Sequence, residues 1–526
     1  MQIRRLKIDN HKCLVDFEIN FETNDGGSST ILLGENGTGK STMMECVLEI
    51  LMSFDSDAIE KKIDYGYELE YLYGGRIITI YQQEKVYQMN IDDGIFCMGK
   101  MDTVRKHIAE QPIFPKRINY FYSGASNKVL HSINRVNINY EKKCRSSVMR
   151  YWRTTVWANH EYTGEFPKRK YNYCTDSLTP IYLMSILGGQ ESFEKHYLQE
   201  QCHMTQVENI SLLLDTDKLP HSLQEEVMNG GTEWIYEIID FIDGRFTDVL
   251  RRGFLYDNDN FVFFELGNIA ELGLDSISIF NFFEKLVTVF GAEYSVYISV
   301  GNSRVKCNDL SEGQRQLIKI LGMLGVCKSE DTLVLMDEPD AHMNPAWKYS
   351  LKATIDECLR NAVNTQAIIA THDPLVINGV EKEFIRIFTH NESIIRNNNW
   401  YFTKVVEPTE DTSGMGIDGI LQSEYYRLPT SYDKKATDKF SEQQRLYIKL
   451  INNEANEEDK IRLKELAREV GSMQMSYNSI DFLYDDFISV FRNMELYSKE
   501  YLSYDDVLER REGIQEIIKA LYEEQV

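Results

Sequence analysis

The stretch Gly34-Glu35-Asn36-Gly37-Thr38-Gly39-Lys40-Ser41 constrains the fold of this chain more than any other. It follows the short apolar run Thr30-Ile31-Leu32-Leu33 and leads into Ser41-Thr42-Met43-Met44-Glu45-Cys46-Val47-Leu48-Glu49-Ile50, where apolar residues recur at helical spacing. Strand, glycine loop and helix in direct succession are the context this pattern requires. Glycines permit the backbone conformations that turn successive amides towards one point, and the start of the helix adds its positive dipole end. The result is a cradle for an anion. Lys40 adds a fixed cation and Ser41 a hydroxyl suited to a hard metal ion.

The bulk properties set bounds on this reading. A chain of 526 residues with 43% hydrophobic content buries a substantial core and has length for two or more domains. No apolar run approaches the ~18 residues that span a bilayer, so a soluble, cytoplasmic protein with no membrane contact is expected. The nine cysteines form no Cys-x-x-Cys pair and no grouping with histidine at zinc spacing, as suits reduced, buried thiols. A net charge of -25 requires any nucleic-acid contact to use a local basic patch against an unfavourable overall field.

Along the chain, Ile3, Leu6 and Ile8, then Phe17, Ile19 and Phe21, alternate as in an N-terminal hairpin. Residues 65–91, rich in Tyr, Ile and Val with a Gly-Gly break, read as antiparallel strands, and Ile118 to Ser123 as a return to the main sheet. The pattern divides the chain into 1–130, a part holding the glycine loop; 131–254, a mainly helical insertion; 255–405, a second α/β part; and 406–526, an acidic, helical region expected to bind a partner. Strands are expected at Phe261–Leu266, Tyr294–Val300, Thr332–Met336 and Ala367–Ala370, the last two alternating with helices as a parallel sheet requires.

Three further motifs follow the glycine loop in order. Leu310-Ser311-Glu312-Gly313-Gln314 would place a serine hydroxyl and glycine amide at the start of a helix, a second anion cradle, and its place one helix and one turn before Asp337 favours this over an ordinary helix N-cap. One phosphate loop already occupies one face of a nucleotide, so the second cradle implies contact with the γ-phosphate of ATP held by another subunit. Asp337-Glu338, after the apolar strand, would put a Mg²⁺-orienting carboxylate beside the loop and, one residue on, a general base for water; an N-capping role for the pair can coexist. His372, at the end of the next strand, is placed to contact the γ-phosphate or hold the water. Asp340 is placed to couple two sites across a dimer. ATP and Mg²⁺ are thus the expected cofactors. Gly34, Glu35, Asn36, Gly37, Thr38, Gly39, Lys40, Ser41 and Thr42 form the nucleotide half-site; Ser311, Gly313 and Gln314 complete it from a partner. Ser41 and Asp337 hold the metal, and Glu338 and His372 are catalytic.

In this order the four motifs resemble the ABC-type ATPase heads of the SMC, Rad50 and RecF superfamily, over roughly residues 1–130 and 255–405. The resemblance implies an α/β P-loop NTPase head, a mixed sheet with an antiparallel N-terminal part, carrying a helical insertion and a helical C-terminal region. The expected Q-loop glutamine is missing, since Gln82 and Gln83 fall within a strand-like segment. The insertion is too short and too aromatic for a Rad50-type coiled coil. Asp340-Ala341-His342-Met343-Asn344-Pro345 and the segment Gly414 to Ser431 are similar instead to the PtuA-type ATPases of Septu anti-phage defence and their retron-associated relatives.

That resemblance implies a homodimer or higher oligomer closing head to tail, and a separate HNH nuclease as partner. No nuclease site is expected in this chain, because Asp485-Asp486 and Asp505-Asp506 lie in helical, tyrosine-rich text. The amphipathic stripe Leu446, Leu450, Ile451, Ile461, Leu466 and Val470 reads as helix packing. Between Glu141 and Tyr173, Lys142, Lys143, Arg145, Arg150, Arg153, Lys168, Arg169 and Lys170 interleave with Tyr151, Trp152, Trp157, Tyr162, Phe166, Tyr171 and Tyr173. Such a mixture suits single-stranded or structured nucleic acid, retron-derived or from phage or host, and suits equally a folded arm with an aromatic core. Two other readings stay open: an ATP-dependent clamp whose output needs no hydrolysis, and a RecF-like clamp in DNA repair.

Overall fold

The computed structural model describes residues 1–472 apart from 24–25, 56–62, 93, 109–112, 125–127, 219–232, 259–260, 267–268, 329–330, 392–401, 431 and 452–454. The chain forms two compact units, Met1–Glu407 and Pro408–Val526.

A seven-stranded sheet carries the first unit. Its order is Phe402–Val406, Ile385–Asn391, Ser28–Gly34, Gln366–Thr371, Thr332–Asp337, Arg117–Tyr122 and Tyr171–Tyr173. All neighbours are parallel except the first pair. The central strands Thr332–Asp337 and Gln366–Thr371 are buried along their whole length, as expected of strands covered on both faces. Asp337 pairs with Ala370 on one side and Tyr122 on the other, while Thr371 pairs with Leu33. The strand ends bearing Gly34, His372, Glu338 and Ser123 therefore share one edge, the carboxyl edge at which open parallel sheets bind ligands.

A six-stranded antiparallel sheet runs Leu14–Asn20, Gln2–His11, Tyr67–Tyr73, Arg76–Gln83, Val86–Ile91 and Gly94–Gly99. The N-terminal hairpin and the strands expected within residues 65–91 are all present. The helix Lys40–Ser53 buries Met43, Met44, Val47, Leu48, Ile50 and Leu51 in a core shared by Ile3, Leu6 and Ile80 of this sheet and by Leu32, Leu335 and Ile368 of the parallel one. Each such side chain removed from water contributes about 1.5–3 kcal/mol, so this core fixes the helix that starts the glycine loop's cradle.

The stretch read as mainly helical is helix over most of its described residues and holds strands as well. It opens with the long helix Lys128–Tyr151, but also supplies Tyr171–Tyr173 to the parallel sheet and Met204–Asp215 to the centre of a third, five-stranded antiparallel sheet. That sheet runs Phe254–Asn258, Phe261–Leu266, Met204–Asp215, Glu293–Val300 and Ser303–Lys306. The polar Thr205, Gln206, Glu208 and Asn209 mask a one-sided strand whose Met204, Val207, Ile210, Leu212 and Leu214 are buried.

In the second unit, Thr409 and Glu410 donate backbone amides to the Glu424 carboxylate. The helices Lys434–Ile451 and Glu457–Ser472 are joined by Lys439–Glu469 and Arg462–Glu442 ion pairs of 2.8 Å. Of the expected stripe, Leu446 and Leu466 are buried, whereas Leu450 and Ile461 are exposed. The side chains of Ile451 and Val470, and the pairs Asp485-Asp486 and Asp505-Asp506, lie outside the described residues. No described helix is long and apolar enough to cross a membrane.

Candidate nucleotide site

The glycine loop leaves the parallel sheet at Gly34 and enters the helix through Gly39, which takes φ 95° and ψ 8°, a left-handed conformation. A side chain there would be strained, and its Cβ would lie 2.9 Å from both the Cys13 sulfur and the Thr403 hydroxyl. Glu35, Asn36 and Gly37 form the exposed crest, and Thr38 is buried, its hydroxyl donating to the Glu35 carbonyl at 2.8 Å. The Thr403 hydroxyl donates to the Thr38 carbonyl at 2.7 Å, pinning the loop to the edge strand; nothing in the local sequence signals this bond.

Lys40 and Ser41 open the helix, with Thr42 in its first turn. The Lys40 ammonium donates to the Gly34 and Glu35 carbonyls at 2.6 and 3.0 Å, spanning the loop. Burial lowers its pKa, opposed by the charges of Asp337, Glu338 and Glu35. Asp337, 2% exposed, ends its strand beside this helix. Burial pushes its carboxyl up to about 6, against a hydrogen bond from Ser41 and the charge of Lys40. A buried carboxylate bonded to a hydroxyl is an oxygen-donor pair that fits Mg²⁺, and the left-handed glycines beside a helix start fit a phosphate chain.

Glu338 has φ 53°, unusual for a residue with a side chain and costing on the order of 1 kcal/mol. Both of its peptides are held. Its N–H donates to the Ala370 carbonyl at 2.9 Å, and its carbonyl accepts from the Ser123 hydroxyl at 2.5 Å. Its Oε1 lies 3.3 Å from Nδ1 of His372, and both side chains remain partly exposed. The glutamate and histidine singled out in the sequence thus meet. Gln82 is buried and Gln83 exposed in the antiparallel sheet; at this edge the register partner of Asp337 is Tyr122, and Ser123 follows it.

Ser311 caps the helix Glu312–Gly325 in a full capping box. Its hydroxyl accepts from the Gln314 amide at 3.3 Å, and the Gln314 side chain accepts from the Ser311 amide at 3.0 Å. Capping and anion binding are compatible, since Ser311 stays exposed. A Cβ on Gly313 would sit 2.8 Å from the His342 carbonyl, so glycine permits close packing of this loop on the turn after Glu338. Gln316 completes that junction by donating to the Pro339 carbonyl at 3.2 Å. Asp340 turns inward instead of outward: it is 3% exposed and bonds to Thr371 of its own chain.

The basic and aromatic stretch is largely internal. Tyr151 stacks on Phe241 at 4.3 Å, with Tyr162 and Phe166 against the same ring, and Trp152 is buried. Arg169 pairs with the buried Glu284 at 2.6 Å, and Lys170 and Tyr171 both bond to Asp55. Arg145 pairs with Glu141. Lys142, Arg150, Arg153 and Lys168 remain exposed, without an open ring to stack a base upon among these packed aromatics. The side chain of Trp157 lies outside the described residues.

A phosphate loop, a buried aspartate with its neighbouring glutamate, a strand-end histidine and a helix capped by Ser311 on one parallel sheet resemble the nucleotide site of ABC/SMC-like AAA ATPases. The sequence of the chain resembles the Septu protein PtuA. Residues 1–151 match the family described as AAA ATPase domain, and residues 301–378 the family described as AAA domain, putative AbiEii toxin, Type IV TA system. The Septu protein PtuA of Bacillus mycoides (strain KBAB4) is 28% identical over 223 residues, covering 39% of this chain and 29% of that protein. The retron Vc95 probable ATPase of Vibrio cholerae serotype O1 biovar El Tor is 28% identical over 132 residues, covering 25% of this chain and 23% of the relative. The chain therefore spans less than a third of the length of these relatives. Among solved structures, the SMC head domain from Thermotoga maritima is 12% identical and covers 78% of this chain and 100% of its own, with a TM-score of 0.33.

Proposed function

We propose that this chain is the ATP-binding and ATP-hydrolysing regulatory subunit of a bacterial anti-phage defence assembly, and that it controls a separate HNH-type nuclease. The observation that carries the hydrolytic part is the 3.3 Å approach of His372 to Glu338, beside the Ser41–Asp337 pair and the phosphate loop. Gly34 to Thr42 enclose the phosphates, and Lys40 transfers its donors from loop carbonyls to phosphate oxygens. Ser41 and Asp337 would hold Mg²⁺, which would offset the negative charge of the phosphate chain. Glu338 accepts a proton from the attacking water, and His372 orients that water or the glutamate.

Ser311, Gly313 and Gln314 complete the site from a second copy in a head-to-tail dimer. The exposure of Ser311, and of the crest Glu35 to Gly37, supports this arrangement. The defence role and the nuclease partner rest on the likeness to the Septu and retron ATPases. Nucleic-acid binding by residues 141–173 gains no support from the packing of Tyr151, Tyr162 and Phe166, and the proposal does not depend on it.

The test is Glu338→Gln, with phosphate release and dimer mass measured in parallel. The proposal expects hydrolysis to fall by about 100-fold or more while ATP-dependent dimers accumulate. A variant that dimerises and releases phosphate as the parent does refutes the assignment of the base.

A further inference from the structure

The Glu338 carboxylate sits on a backbone segment that is unusual in two ways. Its φ of 53° reverses the chain directly after the buried strand, and the next residue is Pro339. Proline has no N–H, so the peptide between them has the Glu338 carbonyl as its sole hydrogen-bonding group. Whatever bonds to that oxygen sets the tilt of the peptide. The tilt in turn aims the Cα–Cβ bond from which the carboxylate hangs.

Two groups bond to it. The Ala341 amide donates at 3.3 Å from within the same turn, and the Ser123 hydroxyl donates at 2.5 Å from across the sheet. Ser123 follows the strand Arg117–Tyr122, whose last residue pairs with Asp337, and its own N–H points to the Asp337 carbonyl at 3.4 Å. A hydroxyl one carbon from the backbone is thus delivered by sheet register to the peptide on the far side of Glu338. On the near side, the Glu338 amide is held by Ala370.

We propose that Ser123 is a positioning residue for ATP hydrolysis, acting through the Glu338 carbonyl to keep the carboxylate in register with His372. This deepens the hydrolytic reading of Glu338 and rests on it. Ser123 needs no contact with nucleotide to do so. Its loss leaves ATP binding in place and lowers turnover, because a small rotation of the Glu338–Pro339 peptide carries the carboxylate off the line of attack.

The experiment compares the full chain with Ser123→Ala, Ser123→Thr, Glu338→Gln and the Ser123→Ala/Glu338→Gln double variant, measuring steady-state ATP hydrolysis, ATP affinity and denaturant midpoint. Ser123→Ala is expected to lower kcat about tenfold, one hydrogen bond's worth, with KM and ATP affinity within about twofold of the parent. Ser123→Thr, which keeps the hydroxyl, restores most of the rate. The double variant is no slower than Glu338→Gln alone, since a carboxylate already removed cannot be misaimed. A Ser123→Ala protein with unchanged kcat beside an inactive Glu338→Gln overturns the role of Ser123 and leaves the glutamate assignment intact. So does a loss of rate matched by equal losses of affinity and stability that threonine fails to repair. Parent-like hydrolysis by Glu338→Gln overturns both.

Discussion

Nδ1 of His372 lies 3.3 Å from Oε1 of Glu338, although the two residues end different strands. The contact spans the carboxyl edge of the parallel sheet and brings a carboxylate and an imidazole to one point. Replacing His372 with Ala should lower kcat by about 100-fold while leaving ATP affinity within a few-fold of the parent. Phosphate release paired with nucleotide titration checks this; a matched loss of affinity would make His372 a binding group.

Gly39 has no tolerable replacement. Gly39→Ala imposes a left-handed conformation on alanine and drives a methyl against Cys13 and Thr403. A loss of about 1–3 kcal/mol in folding stability and of nucleotide binding is expected. Gly37→Ala is the control, since its φ of 85° carries similar strain but its Cβ would have nothing within 4 Å. Denaturation curves should separate the two variants by the steric part alone.

The head-to-tail arrangement predicts complementation. Lys40→Ala and Ser311→Arg should each abolish hydrolysis alone. An equimolar mixture should recover roughly a quarter of the parent rate, because half the dimers are mixed and each mixed dimer of this twofold type has one intact site. No recovery after subunit exchange, with exchange verified by differential labelling, would place both halves of the site in one chain.

Arg169 belongs to the architecture of the first unit. It is paired with Glu284, itself bonded to Thr288, so Arg169→Ala leaves a buried carboxylate without its cation. A loss of about 3 kcal/mol is expected. The neighbouring exposed Lys168→Ala should change stability by less than about 0.5 kcal/mol. Comparable denaturant midpoints for the two variants would contradict this division.

The raised pKa of Asp337 carries a signature in pH. Burial makes the folded protein hold this proton to about pH 6, whereas the unfolded chain releases it near the usual carboxylate value. Protonation therefore favours the folded state. The contribution is fully present at low pH and is lost as pH rises through about 6, by about 3 kcal/mol in total. Asp337→Asn removes it, so the stability difference between parent and variant, measured without Mg²⁺ or nucleotide, should widen between about pH 4 and pH 6 in favour of the variant.

Much of the site was legible in the sequence because its chemistry is local. Gly34 to Ser41 declare a cradle by residue type, and Asp337-Glu338 follows a strand whose burial is evident from Leu333 to Met336. The bonds that tune the site were not legible. Ser123 and Glu338 are brought together by strand order, and Thr403 reaches Thr38 from a strand that local patterning gives no reason to place there. The basic and aromatic stretch left two readings open for a related reason. Tyr151, Tyr162 and Phe166 carry no mark of Phe241, the ring that occupies them. Composition shows what a segment can bind and is silent on what it already touches.

The bond from Gln316 to the Pro339 carbonyl has a further consequence. It joins the helix capped by Ser311 to the turn that begins with Glu338, so that a shift of one would be passed to the other as by a lever. In the proposed dimer, the first serves the neighbour's nucleotide and the second serves the chain's own. Each nucleotide would then feel the other through a rigid linkage within the protein, and the effect must be equal in both directions. The two sites should therefore bind ATP with a Hill coefficient different from one, and Gln316→Ala, by cutting the lever, should return it towards unity.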